Sequence, residues 1–195
     1  VFLALLVLAF WSGEAMAAPK FARTTGNWGT NGNWSSVSCA AAGATTFPTA
    51  GDDVTICNGV TITVDAAGRS ADSVTIQTGA TATGLTFAAG ASLNVTNNVV
   101  IDTPTGAVTK QVNVATGTLT VGGDVTLNGG TAANRDALLT VSSGLVTING
   151  GLTINATVAT SSTVSITAAG GTITVNGAAG VTNRDSGPEV SHATV

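Results

Sequence analysis

The stretch Gly117–Gly129, GTLTVGGDVTLNG, contains two triplets in which Thr separates two apolar residues, and it decides the fold. It recurs as Gly144–Asn155, GLVTINGGLTIN, and more loosely as Gly90–Asp102, GASLNVTNNVVID. Corresponding residues lie about 27 positions apart, and a fixed period of roughly 20–50 residues is typical of solenoids, in which one repeat forms one coil. The sequence therefore predicts a stack of coils.

Each repeat carries three triplets, and their spacing predicts which residues share a position in the coil. The first position is expected at Leu85/Phe87, Val112/Val114, Leu139/Val141 and Val164/Ile166. The second is expected at Leu93/Val95, Leu119/Val121, Val146/Ile148 and Ile173/Val175, and the third at Val99/Ile101, Val125/Leu127 and Leu152/Ile154. An earlier coil is expected from Val54/Ile56, Ile62/Val64 and Val74/Ile76, taken in the same order.

Alternation along each triplet fixes its inner and outer faces. Successive strand residues point to opposite sides of a sheet, so the apolar pair lies inside and the middle Thr, Ser or Asn lies outside. Gly or Asn follows most triplets and tolerates the backbone of a sharp corner. We therefore predict an all-β chain, a single-stranded parallel β-helix of about five coils, each with about 27 residues and three short strands. Asp102, Asn128 and Asn155 share one corner and are expected to form a side-chain ladder.

The outer face of the second strand is a candidate binding surface. Its residues are short and polar: Thr61, Thr63, Ser92, Asn94, Thr118, Thr120, Thr147, Thr172 and Thr174. Such T-x-T arrays resemble ice-binding faces. The alternative is that Thr is simply a good residue for an exposed strand. Leu145 and Asn94 interrupt the array.

The two ends of the chain differ from the repeat. Residues 1–17 combine an apolar run with Ala15–Met16–Ala17, which predicts a secretory signal peptide cut after Ala17; the alternative is a buried apolar strand or helix. We expect an N-terminal cap over 18–53, the β-solenoid over 54–182 and an irregular tail over 183–195 that continues into a longer protein. No transmembrane segment is expected in the mature chain.

Two cysteines and two tryptophans stand near the start of the repeat. Cys39 and Cys57 predict a disulfide, since an even cysteine count in an exported chain favours one; the alternative is two buried free thiols. Trp28 and Trp34 are expected to cover the first coil, because an open sheet edge is a liability. The alternative is a pair of aromatic rings that stack on a sugar.

The stretch from Gly26 to Val64 also resembles a known group of proteins. Its Asn-Trp pairs, Pro48, the run AGDDVTI over 50–56 and the run GVTITVD over 59–65 resemble the opening of large secreted bacterial surface proteins. Comparable openings lead into a β-solenoid in autotransporter-like, eight-glycine-type and pilus-associated proteins. The resemblance implies an extracellular or outer-membrane-associated location, and it implies no catalytic residue.

The charged residues give few candidates for chemistry. Only 8% of the residues are charged and the net charge is −4, so six scattered Lys and Arg residues make no nucleic-acid-binding stripe. The acids mostly fall at different corners, and the single histidine, His192, lies in the tail, so neither paired carboxylates nor a Ser-His-Asp site is expected. Two Cys and a distant His do not complete a zinc site. Lys110 is expected in a connection between strands.

These observations predict a non-enzymatic extracellular β-solenoid of a bacterial surface, adhesin-like or filament-associated protein. We expect no cofactor or metal, and the expected partners are glycans, other cell-surface proteins or further copies of the chain. The alternative is a carbohydrate-active enzyme or glycan-binding module, because one fold hosts both. A further alternative is an ice-binding protein.

Overall fold

A computed structural model describes residues 17–41, 46–156 and 162–183. Apart from one turn of 3-10 helix at Asn31–Asn33, the regular structure of these residues is all strand. The strands are β1 (Ala18–Ala22), β2 (Gly26–Asn27), β3 (Trp34–Ser35), β4 (Asp52–Ile56), β5 (Thr61–Val64), β6 (Arg69–Ala71), β7 (Ser73–Ile76), β8 (Thr83–Phe87), β9 (Ser92–Val95), β10 (Val99–Ile101), β11 (Thr109–Ala115), β12 (Thr118–Val121), β13 (Val125–Asn128), β14 (Asp136–Val141), β15 (Leu145–Ile148), β16 (Leu152–Ala156), β17 (Val164–Ala168), β18 (Thr172–Val175) and β19 (Ala179–Asn183).

The strands form three sheets that run along the stack. Sheet A has the order β19-β16-β13-β10-β7-β4-β1-β3, sheet B the order β17-β14-β11-β8-β5-β2, and sheet C the order β18-β15-β12-β9-β6. From β5 onward the chain passes through sheets B, C and A in turn, and each strand pairs in parallel with the strand one coil away. The predicted parallel β-helix is therefore confirmed.

The register of the central coils is as the triplet spacing predicts. In sheet B, Val112 lies opposite Leu85 and Leu139; in sheet C, Leu119 lies opposite Leu93 and Val146. Sheet A repeats the relationship, with Val125 opposite Val99 and Leu152. The ladder shifts between Asn113 and Ala115, where Ala115 rather than Val114 faces Val141 and takes a left-handed φ of 44°.

The predicted assignment of the earliest coil is wrong by one strand. Val54 and Ile56 lie in sheet A opposite Val74 and Ile76, and are therefore the third strand of the preceding coil. Ile62 pairs with Leu85 in sheet B, so β5 is a first strand. The missing second strand is β6, whose sequence Arg-Ser-Ala has no apolar-Thr-apolar triplet. Thr61 and Thr63 consequently lie in sheet B, and their prediction as part of the second-strand face is wrong.

The last coil departs from prediction by two residues. Ile166 lies opposite Leu139 and Val164 opposite Ala137, a step of 27 residues in place of 25. The shift arises because β14 has three inward positions, at Ala137, Leu139 and Val141, and the triplet of β17 pairs with the first two. Inward and outward faces are unchanged, because a shift of two residues preserves the alternation.

Inward-facing Val, Ile and Leu residues of all three sheets form one continuous core. Most of them are fully buried, and each contributes about 1.5–3 kcal/mol relative to an exposed side chain. Glycines at the corner between sheets B and C let the coils approach closely. A Cβ on Gly117 would lie 2.8 Å from the carbonyl oxygen of Ala91, and one on Gly171 would lie 2.5 Å from that of Gly144.

The N-terminal end of the stack is closed. β1 adds to sheet A in parallel with β4, and β3 then pairs antiparallel with β1, which ends the parallel series. Trp28 and Trp34, the latter in β3, are fully buried, with ring centroids 5.1 Å apart. Because neither ring is exposed, the alternative of a sugar-stacking pair is wrong. The Cys39–Cys57 disulfide, which is present as predicted, ties the segment to the end of β4.

The C-terminal coil is less covered than the coils before it. Val164, Ile173 and Val175 are partly exposed, whereas the corresponding Ala137, Val146 and Ile148 are fully buried. The predicted signal peptide, apart from Ala17, and the predicted tail beyond Asn183 lie outside the described residues.

Candidate functional site

The outer face of sheet C, here called the C face, brings most of the predicted binding residues together. Parallel pairing places its side chains in two rows across the coils. One row is Ser92, Thr118, Leu145 and Thr172, and the other is Ser70, Asn94, Thr120, Thr147 and Thr174. Ser70 takes the place in the second row that the sequence analysis gave to Thr63.

The C face is neutral and offers both hydrogen-bond donors and acceptors. Hydroxyl groups dominate it, the Asn94 amide adds one more polar group, and Leu145 is 41% exposed between Thr118 and Thr172. A surface of this kind can bind a repetitive ligand through many small polar contacts. It carries no general acid or base.

Six of the seven aspartate carboxylates in the described residues serve as local acceptors. Their partners lie in the same turn or the adjacent coil. The pairs are Asp52 with Thr49, Asp53 with Ser73, Asp65 with Gly29 and Arg69, Asp72 with Asn97, Asp124 with Gly151, and Asp136 with Thr163. Within the described residues, no three of His, Cys, Asp and Glu stand close enough to hold a metal ion. His192 lies outside those residues.

Arg69 occupies an inward position at the first strand of sheet C. Its guanidinium group lies 2.9 Å from the Asp65 carboxylate and 4.7 Å from the centre of the Phe47 ring. The side chain is 19% exposed, and a partly buried stem with a paired head is an ordinary arrangement for Arg. The residue therefore helps to cover the N-terminal edge of sheet C, which the sequence pattern did not indicate.

A second polar cluster, here called the Lys110 corner, consists of Asn58, Thr81, Thr83 and Lys110. The sequence analysis placed Lys110 in a connection between strands, and this prediction is wrong. Lys110 lies in β11, where it points inward and is fully buried. Its Nζ donates to Asn58 Oδ1 at 2.9 Å, to the carbonyl oxygen of Thr81 at 2.7 Å and to Thr83 Oγ1 at 2.7 Å. Burial lowers the pKa of Lys110 to about 8.

The neighbours of Lys110 are themselves held in place. The Thr83 hydroxyl accepts the backbone N–H of Gly59 at 2.9 Å and donates to the carbonyl oxygen of Thr81 at 3.0 Å. Asn58 Oδ1 accepts a second hydrogen bond, from the backbone N–H of Thr81, at 3.0 Å. The sequence could have indicated the inward position of Lys110. Lys110, Val112 and Val114 are alternate residues of one strand, so all three lie on its inner face.

Amide ladders follow two of the corners. Asn155 donates to Asn128 at 2.8 Å, which confirms that part of the predicted ladder. Ile101 lies opposite Leu127, so the next residue, Asp102, stands one coil before Asn128. Asn176 donates to Asn149 at 2.9 Å. These ladders hold successive coils in register.

Comparison with known proteins found no matching family model, no similar curated protein and no similar solved structure. Among the described residues, no helix has the length and apolar character needed to cross a membrane.

Proposed function

We propose that this chain is a non-enzymatic extracellular module of a bacterial surface protein, adhesin-like or filament-associated. The β-solenoid acts as a rod whose closed N-terminal end is stabilised by Trp28, Trp34 and the Cys39–Cys57 disulfide. A disulfide suits an oxidising compartment, and an exported location follows from the apolar leader pattern of the sequence.

The proposal rests on the hydrogen bonds that the carboxylates make within the fold. Asp124 accepts the backbone N–H of Gly151 at 2.6 Å, and Asp136 accepts that of Thr163 at 2.6 Å. Each carboxylate thereby fastens one coil to the next. Hydrolysis of glycosides needs two carboxylates that face one substrate, with roughly 5–10 Å between them. The commitment of Asp124 and Asp136 to coil stacking favours a structural role over that chemistry.

Adhesive contact is assigned to the C face. Its rows repeat once per coil, at the ~4.8 Å spacing of paired strands, so a glycan or a protein surface could bind through many equivalent contacts. Thr120 and Thr147 lie at the centre of one row, directly opposite one another. Lysine at both positions would place two long charged side chains on the face and disrupt neutral packing against it.

The test is binding of the purified chain to immobilised glycans and to cells. The Thr120→Lys/Thr147→Lys variant should lose most of the binding, while a matched Thr126→Lys/Thr153→Lys variant on the outer face of sheet A should retain it. Equal binding by both variants would exclude the C face as the contact surface.

The enzymatic alternative is tested separately. The purified chain is incubated with pectin, alginate and hyaluronan, and the products are measured by reducing ends and by absorbance of unsaturated sugars. We expect no cleavage above the level of a heat-inactivated control. Robust cleavage of any of these polymers would overturn the non-enzymatic proposal.

Ice binding is a second candidate for the same face, favoured by the in-register Thr residues Thr120, Thr147 and Thr174. Thermal hysteresis of the purified chain decides it. A measurable hysteresis gap that disappears in the Thr120→Lys/Thr147→Lys variant would replace glycan binding as the function of the C face.

A further inference from the structure

The Lys110 corner places a buried primary amine against a primary amide. Nζ of Lys110 lies 2.9 Å from Oδ1 of Asn58, a residue 52 positions earlier in the chain. Lys110 is fully buried, and its three hydrogen-bond partners are all neutral. A buried lysine is ordinarily paired with a carboxylate. The burial of Lys110 among neutral partners therefore needs a different explanation.

We propose that Lys110 and Asn58 form an intramolecular isopeptide bond, in which Nζ of Lys110 replaces the side-chain nitrogen of Asn58. The bond would join the turn after β4 to β11. It would therefore fix the closed N-terminal end of the solenoid to a strand two coils further along. The site is built from the protein's own residues and needs no other molecule.

The surroundings of the Asn58 amide favour attack at its carbonyl carbon. Thr81 donates its backbone N–H to Oδ1 at 3.0 Å, so this donor is in place to stabilise the negative charge that develops on the oxygen in a tetrahedral intermediate. The departing Nδ2 lies 3.4 Å from the Thr81 hydroxyl, which can pass a proton to it. Burial lowers the pKa of Lys110 to about 8, so about one tenth of the amine is neutral and nucleophilic at pH 7, and most of it is at pH 9.

The reaction balances without an oxidant or a co-reactant. Nζ forms a bond to Cγ of Asn58, and the carbonyl electron pair moves to Oδ1. When the carbonyl reforms, the bond from Cγ to Nδ2 breaks and ammonia leaves with the proton released by Nζ. One ammonium side chain and one primary amide thus give one secondary amide and one ammonium ion, with a loss of about 17 Da as ammonia.

A competing reaction starts from the same carbon. Gly59 follows Asn58, and attack by the Gly59 nitrogen would give a succinimide with the same loss of mass. In the structure this N–H donates to Thr83 Oγ1 at 2.9 Å, which holds it in a hydrogen bond, and Gly59 has a φ of +84°. The Lys110 amine instead contacts the Asn58 side chain directly, so we assign the reaction to Lys110.

The test is mass spectrometry of the folded, full-length chain after incubation at pH 9, where most of the amine is neutral. The expected intact mass is about 17 Da below that of the same polypeptide with its disulfide formed. Trypsin does not cleave after an acylated lysine, so the reduced digest should contain residues 24–69 joined to residues 70–135. The variants Lys110→Met and Asn58→Ser should both show the full mass.

Three results are decisive. A branched peptide that joins Asn58 to Lys110 supports the proposal, and Asn58→Asp should then form the same bond with loss of about 18 Da as water. The full mass in folded wild-type protein overturns it, since Lys110 is then only a hydrogen-bonded amine. A loss of about 17 Da without a branched peptide also overturns it, because the ammonia has then left through a succinimide at Asn58 or at another Asn-Gly pair of the chain.

Discussion

Trp34 donates its indole N–H to the backbone carbonyl oxygen of Trp28 at 2.8 Å, and the two fully buried rings meet edge to face with centroids 5.1 Å apart. Trp28 in turn donates its indole N–H to the carbonyl oxygen of Pro48 and its backbone N–H to that of Thr63. The pair therefore connects the chain before the repeat to sheet B. It closes the end of the stack with both large apolar area and paired polar groups.

Replacement of Trp34 should destabilise the fold in two steps. Trp34→Phe keeps most of the apolar volume but leaves the Trp28 carbonyl without its donor, which should cost about 1–3 kcal/mol in free energy of unfolding. Trp34→Ala also opens a cavity and should cost about 3–5 kcal/mol. Guanidinium denaturation measures both values. Val37→Ala, at a side chain that is 73% exposed, should change stability by less than about 0.5 kcal/mol; equal losses in all three variants would contradict a capping role.

Reduction of the Cys39–Cys57 disulfide should lower stability by about 3 kcal/mol, because its 18-residue separation restricts the unfolded chain. The measurement is the midpoint of thermal unfolding with and without a reducing agent. The double variant Cys39→Ala/Cys57→Ala is the control, and its midpoint should not respond to the agent. If the wild type does not respond either, the disulfide contributes no stability.

Gly144 should tolerate no side chain. A Cβ at this position would overlap the carbonyl oxygen of Gly117 in the adjacent coil, so Gly144→Ala must push two coils apart. Overpacking of this kind typically costs about 1–3 kcal/mol. Gly51→Ala is the matched control, since its Cβ would meet nothing within 4 Å. Denaturant midpoints of the two variants should differ clearly, and equal midpoints would show that the coils are not packed this closely.

The sequence was sufficient for the fold wherever the triplets repeat without interruption. Leu93, Leu119 and Val146 stand in one ladder as their spacing predicts, because inward Val, Leu and Ile must all reach one core. The prediction failed at β6, where Arg69 takes an inward position. Its guanidinium is neutralised by Asp65 and covered by Phe47, and neither partner is part of the period.

The Lys110 corner was beyond sequence reasoning for a different reason. A lysine is ordinarily an exposed residue. The only sequence feature that places Lys110 inside is its alternation with Val112 and Val114 along one strand. Its acceptors come from two earlier turns, at Asn58 and at Thr81 and Thr83. No local pattern predicts that those turns converge on one amine. The C face, by contrast, follows from the alternation alone, except that Thr61 and Thr63 lie in sheet B and Ser70 takes the place predicted for Thr63.

Lys110 should make stability rise with pH wherever its amine remains free, as in the Asn58→Ser variant. Burial lowers the folded-state pKa from 10.5 to about 8, so between these values the unfolded chain binds more protons than the folded chain. The free energy of unfolding should therefore increase from about pH 8 to about pH 10.5, by at most about 3 kcal/mol. Urea denaturation across this range measures the increase.

Asn58→Ser/Lys110→Met serves as the control because it retains every other titrating group, so the difference between the two variants isolates Lys110. If the difference in free energy of unfolding between the two variants stays constant with pH, the amine titrates in the folded protein as it does in water. Lys110 would then not be held in the core.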